Sequence, residues 1–325
     1  MKALVYTETM RSEFRDEPEP VPESGGIVVD LSHCGICGSD MHAWHGHDAR
    51  RIPPLILGHE AVGIAKSGKY AGKRVALNPL MTCGTCNFCL SGNEHLCPSR
   101  ELIGMRVPGA FAEAVAIHEN NLFEIPDHLS FDEAALAEPL AVAVHAVKLG
   151  IVRMGDRNAP TLIQGGGAIG LLCALVLQNY GFSNVTIAET NALRRNLLGE
   201  VTQATPLDPI NGEPETPFDL IFDCVGSAHT RKAASAMVNP GGTIIHVGLQ
   251  DNDPGLDTRR LTLQEIAFIG TYCYTNADFS EALELLAKGN ISRQGWSEIR
   301  PLSQGGSGFE DIHNNRAVPK IILEI

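Results

Sequence analysis

The stretch "TLIQGGGAIGLLCALVLQNYG" (161–181) combines a short apolar strand over 161–164, a glycine turn over 165–170 and an apolar run of helical length. A second strand-like segment, "NVTIAE" (184–189), follows it. Strand–turn–helix material then recurs in "FDLIFDCVGS", "TRKAASAMVN" and "GGTIIHVG". Alternating strands and helices of these lengths are typical of a parallel, doubly wound sheet. The sequence therefore predicts an α/β fold for this part of the chain.

The glycine turn has the spacing Gly165-x-Gly167-x-x-Gly170 between a strand and a helix. The first glycine permits a tight turn, the second lets a pyrophosphate approach the backbone, and the third lets the helix pack on the strand. The phosphates would lie at the helix N-terminus, where N–H groups and the helix dipole favour anions. Gly165, Gly167, Ala168, Ile169 and Gly170 are therefore candidate dinucleotide-binding residues.

Glu189 ends the next strand, 19 residues after Gly170, where an acidic side chain accepts hydrogen bonds from adenosine ribose hydroxyls. Such a carboxylate repels a 2′-phosphate, so it favours NAD over NADP. Arg194 and Arg195 follow closely and would weaken that preference. Val247, in "GGTIIHVG", is a further cofactor candidate. The alternative is an ordinary glycine-rich turn with a solvated glutamate.

The regions on either side of this unit differ from it in their pattern of apolar and polar residues. Residues 1 to about 150 contain short alternating segments such as "GIVVDLSHCGICGSD", "AVGIAKSG" and "KRVALNP", which predict strands joined by turns. The segment "NADFSEALELLAKGN" predicts an amphipathic helix with Phe279, Leu283 and Leu286 on one face and "GN" at its C-cap. A mostly β unit is thus expected before the doubly wound sheet, and a helix after it.

Composition limits the functional classes. The 325 residues are 44% apolar and 19% charged, which is a globular composition. The net charge of −13 argues against a protein that binds duplex nucleic acid and fits a small-molecule substrate. No apolar run reaches the roughly 18 residues needed to span a bilayer, so no membrane partner is expected. The N-terminal "MKALVYTETMRSEF" lacks a signal-peptide core, so a cytoplasmic location is predicted.

Four of the nine cysteines fall within "CGTCNFCLSGNEHLC" (83–97), as Cys83, Cys86, Cys89 and Cys97. This C-x2-C-x2-C-x7-C spacing lets one loop surround a tetrahedral zinc ion. Four thiolates leave no open coordination position, so such a zinc would be structural. An iron–sulfur cluster with similar spacing and incidental thiols are the alternatives.

A second group of donors is predicted from "HCGICGSDMH" (33–42) and "LGHEAVG" (57–63). Cys37, His59 and Glu60 offer three zinc donors, and catalysis needs one position left open. Glu138 opens the apolar run "EPLAV", where a buried carboxylate is costly without a cation, so it is a further candidate.

Each of these residues also has an interpretation in which it binds no metal. The pair Cys34-x-x-Cys37 has the spacing of a thioredoxin-like redox motif, but no helix is predicted after it. His59 and Glu60 would also fit a surface pair. Glu138 would also fit the first turn of a helix, where the dipole favours an acidic side chain.

Taken together, the chain resembles the zinc-dependent medium-chain dehydrogenases/reductases (the alcohol dehydrogenase superfamily), in the sorbitol dehydrogenase and L-idonate 5-dehydrogenase branch. The resemblance rests on segments that follow the family's order along most of the chain: "GICGSDMH", "LGHEAVG", the cysteine-rich stretch, "GAFAEAVAI", "AEPLAVAVHA", "GGGAIG" and "FDCVG". It implies a GroES-like catalytic domain over residues 1–150, a Rossmann domain over 151–272, and a segment over 273–325 that returns to the catalytic domain.

The resemblance also implies roles. Cys83, Cys86, Cys89 and Cys97 would hold a structural zinc, and Cys37 with His59 a catalytic one, giving two Zn2+ per chain. The third catalytic ligand would be Glu60 or Glu138; the alternative for Glu138 is to orient the zinc-bound water. Ser39 and His42 match the family's proton-relay hydroxyl and imidazole.

The implied activity is hydride transfer between a secondary alcohol, a polyol or sugar acid, and NAD. Zinc would make the substrate hydroxyl acidic enough to react. "GTYCYTNADF" (270–279) has Cys273 where polyol dehydrogenases have an arginine, and Ala43 stands where sorbitol dehydrogenases tend to have a tyrosine, so the substrate is left open. The alternatives are a threonine dehydrogenase, a simple secondary-alcohol or diol dehydrogenase, a zinc-ribbon module and a catalytically silent dinucleotide-binding protein. A homo-oligomer, tetramer or dimer, is expected.

Overall fold

The computed structural model describes residues 1–23, 25–212 and 217–325. By their internal contacts these residues form two compact units. The first unit comprises Met1–Glu138, Thr275–Arg293 and Ser297–Ile325, and the second comprises Pro139–Tyr274 and Gln294–Trp296. The division at Glu138 lies near the start of a helix that ends at Ile151, whereas the sequence predicted a boundary at residue 150.

The first unit is mostly β before residue 125, as its alternating segments predict. Its strands there are β1 (Lys2–Glu8), β2 (Arg11–Asp16), β3 (Gly26–Gly35), β4 (Leu55–Ile56), β5 (Glu60–Ala65), β6 (Arg74–Leu77), β7 (Leu80–Met81), β8 (Glu101–Leu102), β9 (Ala114–His118) and β10 (Leu122–Glu124). Its helices up to residue 134 are α1 (Gly38–Trp44), α2 (Asn87–Leu90) and α3 (Phe131–Ala134).

Helix α1 differs from the strands and turns predicted for its segment. Cys37 is its N-cap: the sulfur accepts a hydrogen bond from the backbone N–H of Ser39, and the Asp40 carboxylate accepts one from the N–H of Cys37. This reciprocal arrangement is a capping box built on a cysteine instead of serine or threonine. The prediction that no helix follows Cys37 was therefore wrong.

The second unit contains the predicted doubly wound sheet. The elements of this part of the chain are α4 (Ala137–Ile151), β11 (Thr161–Gln164), α5 (Ala168–Asn179), β12 (Val185–Ala188), α6 (Ala192–Val201), β13 (Thr205–Leu207), β14 (Phe218–Asp223), α7 (Ala228–Met237), β15 (Val238–His246), α8 (Thr258–Leu263) and β16 (Ala267–Gly270). The strand order is β13-β12-β11-β14-β15-β16, with parallel neighbours throughout. The order reverses between β11 and β14, and ligands bind such sheets beyond the carboxyl ends of the strands at that point.

The C-terminal segment contributes α9 (Asn276–Ala287), β17 (Ser297–Pro301), α10 (Gly305–His313) and β18 (Lys320–Glu324). Helix α9 is the predicted amphipathic helix, and the glycine after it, Gly289, adopts a positive φ of 69°. Strand β18 pairs antiparallel with β3 and parallel with β17. The chain therefore returns to the sheet of the first unit, whose strand order is β10-β6-β5-β3-β18-β17 with β9 also paired to β3.

Aromatic packing fixes helices α1 and α10 to the first unit's core. Phe309 of α10 stacks on Trp44 of α1 with ring centroids 5.9 Å apart, and it meets Phe111 edge-on at 6.1 Å. All three rings are buried. Burying an aromatic side chain contributes about 1.5–3 kcal/mol, so these contacts hold α1, which Cys37 caps and which carries Ser39 and His42, in a defined position. Among the described residues, no helix has both the length and the apolar character needed to cross a membrane.

Candidate metal centres and dinucleotide site

The four cysteines of residues 83–97 converge on one point. Their sulfur atoms lie within 4.8 Å of one another, with Sγ–Sγ separations of 3.5 Å for Cys86–Cys89, 3.6 Å for Cys83–Cys97 and 3.9 Å for Cys83–Cys89. A disulfide would require about 2.05 Å. Four thiolates around a zinc ion at about 2.3 Å are separated by about 3.8 Å. The arrangement therefore fits a tetrahedral zinc ion.

Hydrogen bonding prepares one member of this set, Cys83, for a cation, whereas burial and a hydrogen bond with Cys86 raise the pKa of Cys89 to about 11. The backbone and hydroxyl of Thr85, the hydroxyl 3.6 Å from the sulfur, lower the pKa of Cys83 to about 6. A thiol with that pKa is a thiolate near neutral pH, which is the form that binds metal.

A second donor set is formed by Cys37, His59 and Glu60, whose ligand atoms lie within 4.8 Å of one another. Cys37 caps α1, His59 precedes β5, and Glu60 begins that strand. His59 and Glu60 are buried, which rules out the interpretation as a surface pair. One thiolate, one imidazole and one carboxylate form a donor set that fits a zinc ion with one coordination position left open.

Asp40 orients the imidazole of this set. The fully buried carboxylate has Oδ1 3.4 Å from Nδ1 of His59 and accepts backbone hydrogen bonds from Cys37 and Gly58. Burial raises the pKa of Asp40, but His59, Arg51 and the Cys37 N–H lower it by more, so the group remains a carboxylate. A carboxylate on Nδ1 leaves Nε2 for the metal.

The same neighbours create a site that favours positive charge. Burial lowers the pKa of His59, but the negative charges of Asp40 and Cys37 raise it well above its usual value. A position that stabilises an imidazolium this strongly also suits a divalent cation, so the residues present fit zinc.

Lys320 of β18 forms an ion pair with Oε2 of Glu60 and donates a hydrogen bond of 2.9 Å to the carbonyl of Ile36. Burial lowers the pKa of Lys320, but Glu60 and Cys37 raise it by more, so the ammonium group is charged. Apart from this ion pair, both carboxylate oxygens of Glu60 are buried without a hydrogen bond to any residue that the structure describes. Gly35 leaves room for this carboxylate, since a Cβ there would collide with Oε2 of Glu60.

The structure separates the two glutamates that the sequence left as alternatives. Glu138 is buried in the first turn of α4, and its charge contributes to the raised pKa of Lys320. Within the described part of the chain, it is not in the set whose donor atoms lie within 4.8 Å of one another. Glu60 is therefore the carboxylate that the geometry groups with Cys37 and His59.

The proposed relay residues both lie on α1. The hydroxyl of Ser39 is 3.4 Å from Nε2 of His59 and accepts a hydrogen bond of 3.4 Å from the Arg51 guanidinium. His42 lies three residues further along the helix and is half-buried. Burial and the positive charges of His47 and Arg51 lower the pKa of His42, which Asp48 offsets only in part.

Cys34 is not a redox partner of Cys37 in this fold. Cys34 is fully buried, and both cysteines are free thiols. Burial, with the negative charges of Asp40 and Glu60, raises the pKa of Cys34 well above its usual value. A thiol held protonated in this way is a poor nucleophile.

The predicted glycine turn lies between β11 and α5. Gly165 has a φ of +95°, and a Cβ on Gly170 would collide with the carbonyl oxygen of Gly165. Gly167 is the N-cap of α5 and has no side chain to cap the helix. The N–H groups of the first turn, which includes Ala168 and Ile169, therefore point toward the place where a pyrophosphate would lie.

Glu189 closes this turn from the end of β12. Its Oε2 accepts a hydrogen bond of 2.8 Å from the N–H of Gly166, and its Oε1 accepts one of 2.7 Å from Asn191. A carboxylate has about four lone-pair positions, so capacity is left for ribose hydroxyls. Val247 follows β15, with its N–H bonded to the carbonyl of Asp223, at the carboxyl edge of the sheet.

The two arginines after Glu189 differ in their contacts. Arg195 donates to the backbone carbonyls of Glu189 and Thr190 and pairs with Asp208 at 3.0 Å, so its charge is balanced within the unit. Nε of Arg194 is buried without a hydrogen-bond partner among the described residues.

Comparison with known proteins identifies the family. The alcohol dehydrogenase GroES-like domain matches residues 23–127, and the zinc-binding dehydrogenase model matches 168–288. The chain is 30% identical over 319 residues to 2-dehydro-3-deoxy-L-galactonate 5-dehydrogenase of Pseudoalteromonas atlantica strain T6c, which covers 93% of this chain and 92% of that relative. The chain belongs to the zinc-dependent medium-chain dehydrogenases. This dehydrogenase is therefore an oxidoreductase that uses zinc and a nicotinamide dinucleotide.

Two further comparisons agree with this assignment. The dehydrogenase is 27% identical over 340 residues to L-galactonate-5-dehydrogenase of Escherichia coli strain K12, covering 99% of this chain and 98% of that one. A structure from Sinorhizobium meliloti 1021, described as a zinc-binding dehydrogenase bound to NADP, matches with a TM-score of 0.87 at 28% identity, covering 100% of this chain and 99% of that one. The predicted family, fold class and enzyme class are confirmed.

Three residues around the Cys37–His59–Glu60 set were not among the sequence-based predictions: Asp40, Arg51 and Lys320. Asp40 had a local signal, since an acidic residue three positions after an N-cap suggests a capping box. Lys320 had a weaker one, a lysine at the start of the apolar strand "KIILE". No local pattern marks Arg51, which donates to the carbonyls of Ser39 and Gly104 from a buried position.

Proposed function

We propose that this dehydrogenase oxidises a secondary hydroxyl of a polyol or sugar acid with NAD and reduces the corresponding ketone in reverse. The observation that carries the proposal is the Cys37–His59–Glu60 donor set, in which Asp40 pairs with His59 and Lys320 pairs with Glu60. The two relatives described above, both named as sugar-acid dehydrogenases, support this substrate class over a threonine dehydrogenase, a simple diol dehydrogenase or a silent dinucleotide-binding protein.

Cys37, His59 and Glu60 would hold the catalytic zinc, and Cys83, Cys86, Cys89 and Cys97 the structural one. Bound zinc supplies Lewis acidity that lowers the pKa of a coordinated oxygen from about 16 toward about 7, and the dinucleotide accepts the hydride. The remaining steps belong to the chain. Asp40 keeps the His59 ring in one orientation, and Lys320 holds the Glu60 carboxylate in place.

Proton transfer would begin at Ser39. Its Oγ lies 3.4 Å from His59 Nε2 and borders the donor set, so it would accept the proton of the substrate hydroxyl while releasing its own hydroxyl proton toward His42. His42, with a lowered pKa and a half-buried ring, then exchanges the proton with solvent. A neutral imidazole is required to accept it, so the lowered pKa keeps the acceptor form populated at neutral pH.

The third zinc ligand is tested by two matched variants. Glu60→Gln should reduce the zinc content from two ions per chain toward one, and Glu138→Gln should keep two. Atomic emission on purified protein measures both. Retention of two zincs in Glu60→Gln together with loss in Glu138→Gln would assign the ligand to Glu138 instead.

The preference for NAD is attributed to Glu189. Backbone N–H groups fix its carboxylate, so a 2′-phosphate would meet a negative charge that cannot move away. The ion pair with Asp208 neutralises Arg195, which removes one of the two cations that would favour NADP.

The function is tested with a substrate panel at alkaline pH, following NADH absorbance. The panel contains L-galactonate, other sugar acids, polyols, L-threonine and 2,3-butanediol. We expect turnover of sugar acids or polyols, loss of turnover in Cys37→Ser, and NAD binding retained in that variant. Turnover confined to L-threonine or the diol would overturn the substrate class, and full activity of Cys37→Ser would overturn the zinc mechanism. The tetramer or dimer and the cytoplasmic location stay predictions.

A further inference from the structure

The first unit has a group of histidines that the dehydrogenase chemistry does not use. His45 is the C-cap of α1, and His313 is the last residue of α10. Nε2 of His45 and Nδ1 of His313 lie 3.0 Å apart, one nitrogen donating a hydrogen bond and the other accepting it. Two residues 268 positions apart in sequence are thus joined through their ring nitrogens.

Two more aromatic rings complete this group. The ring of His47 lies 5.6 Å from that of His45, centroid to centroid. The indole of Trp44 lies 5.3 Å from the His45 ring and 5.8 Å from the His313 ring. His47 and His313 are exposed, and His45 is half-buried, so solvent and ions reach these nitrogens.

Two features of the surroundings suit a bound metal ion. Both imidazoles stand at helix C-termini, where the dipole and the terminal carbonyls attract positive charge. Burial lowers the pKa of His45, and the nearby His313, His47 and His42 lower it further. The ring is therefore neutral at pH 7, which is the form that binds metals.

The spacing of the two nitrogens, 3.0 Å in their hydrogen bond, is also the spacing at which a tetragonal ion holds two neighbouring ligands. Two ligands in neighbouring positions of a square-planar or octahedral ion, at about 2.1 Å from it, are about 3.0 Å apart, whereas a tetrahedral ion requires about 3.4 Å. Imidazole is a suitable ligand for copper and nickel, whose divalent ions favour tetragonal geometry.

We propose that His45 and His313 are the two anchoring ligands of a surface site for a tetragonal divalent transition metal, Cu2+ or Ni2+. The rings turn from their mutual hydrogen bond toward a shared ion, which their exposure permits. His47 is near enough to serve as a third ligand, and water fills the remaining positions. The site shares no residue with either zinc donor set, and a bound ion would link α1 to α10.

Trp44 provides the measurement, because paramagnetic or open-shell ions quench a nearby indole. NiCl2 is titrated into protein that contains two zincs per chain, and tryptophan fluorescence is followed. We expect saturable quenching at one nickel per chain with zinc content unchanged. In His313→Asn the dissociation constant should rise at least tenfold. The matched control is His229→Asn, an exposed histidine on α7, which should behave like the parent protein.

Two further variants connect the signal to the site. Trp44→Phe should lose the quenching while calorimetry still shows nickel binding, and His45→Asn should lose both. Circular dichroism and NADH turnover show that each histidine variant is folded. The proposal is overturned by quenching that is unchanged in His313→Asn, by quenching that rises linearly without saturation, or by quenching that accompanies release of zinc in parent and variant alike.

Discussion

Replacing Lys320 by methionine tests whether the ammonium group and the catalytic zinc act on the same carboxylate. Methionine fills a similar apolar volume but has no charge, so packing changes little. The side chains of Lys320 and Glu60 are 2% and 1% exposed, respectively, so water cannot replace the lost partner. In this variant, a zinc ion at the Cys37–His59–Glu60 site is the positive charge left to balance the Glu60 carboxylate.

The expected magnitude depends on the metal. Removing one partner of a buried ion pair costs about 3–5 kcal/mol, because the other charge is left uncompensated. With zinc held by Cys37, His59 and Glu60, the metal compensates this charge. The remaining loss is then the hydrogen bond to the Ile36 carbonyl, which amounts to about 1–3 kcal/mol for a buried acceptor left unpaired.

The assay is urea-induced unfolding of Lys320→Met in two backgrounds, the zinc-loaded parent and Cys37→Ser, which removes the catalytic zinc but leaves the cysteine-rich lobe intact. We expect the free energy of unfolding to fall by about 1–3 kcal/mol in the first and about 3–5 kcal/mol in the second. The control adds Glu60→Gln to Lys320→Met in the Cys37→Ser background. Because this removes the uncompensated charge, it should restore most of the lost free energy of unfolding.

Equal losses in the two backgrounds, within about 0.5 kcal/mol, would refute this reasoning. They would show that the charge of Glu60 is balanced independently of any metal at Cys37. If adding Glu60→Gln to Lys320→Met fails to restore the free energy of unfolding, Lys320 stabilises the fold through its own packing alone.

Other substitutions probe single features of the two units. Gly35→Ala places a Cβ against the Glu60 carboxylate. The zinc content, measured by atomic emission, should fall toward one ion per chain, and turnover, measured by NADH absorbance, should fall at least tenfold. Two zincs per chain with full turnover would contradict the role of Gly35. Burial raises the pKa of Asp48, but hydrogen bonds from Arg50 lower it to about 2, below its unfolded value near 3.8. Its stabilising contribution is therefore complete above about pH 4 and lost as the pH falls toward 2. The free energy of unfolding should fall less steeply with decreasing pH in Asp48→Asn than in the parent protein. An identical pH dependence in the two proteins would contradict this. Glu189→Ala should weaken NAD binding and narrow its advantage over NADP in fluorescence titrations, whereas an unchanged ratio of affinities would remove the assigned role.

The parts of the site that the sequence predicts are those encoded within short stretches. The four cysteines lie within fifteen residues, so their spacing alone indicates a metal site. Strand β11 was predicted at its observed bounds, 161–164, because an apolar strand, a glycine turn and a helix follow one another directly. In both cases the residues that interact are neighbours in the chain.

The parts that the sequence does not predict depend on distant partners or unusual chemistry. Helix α1 begins with glycine and is capped by a cysteine sulfur, and neither residue is among the best helix-start signals. Lys320 and Glu60 are 260 positions apart, and they meet because β3 pairs with β18 on one side and with β5, which Glu60 begins, on the other. A single sequence does not reveal a long-range ion pair of this kind.

The most direct test of the metal assignment is an anomalous difference map at the zinc absorption edge from crystals of the zinc-loaded protein. We predict two peaks per chain. One should lie amid the sulfurs of residues 83–97, and the other about 2.3 Å from Sγ of Cys37, about 2.0–2.1 Å from His59 Nε2 and about 2.0–2.2 Å from a carboxylate oxygen of Glu60. A map with no peak beside Cys37 and His59 would contradict the proposed catalytic centre, and a peak coordinated by Glu138 in place of Glu60 would contradict its ligand set.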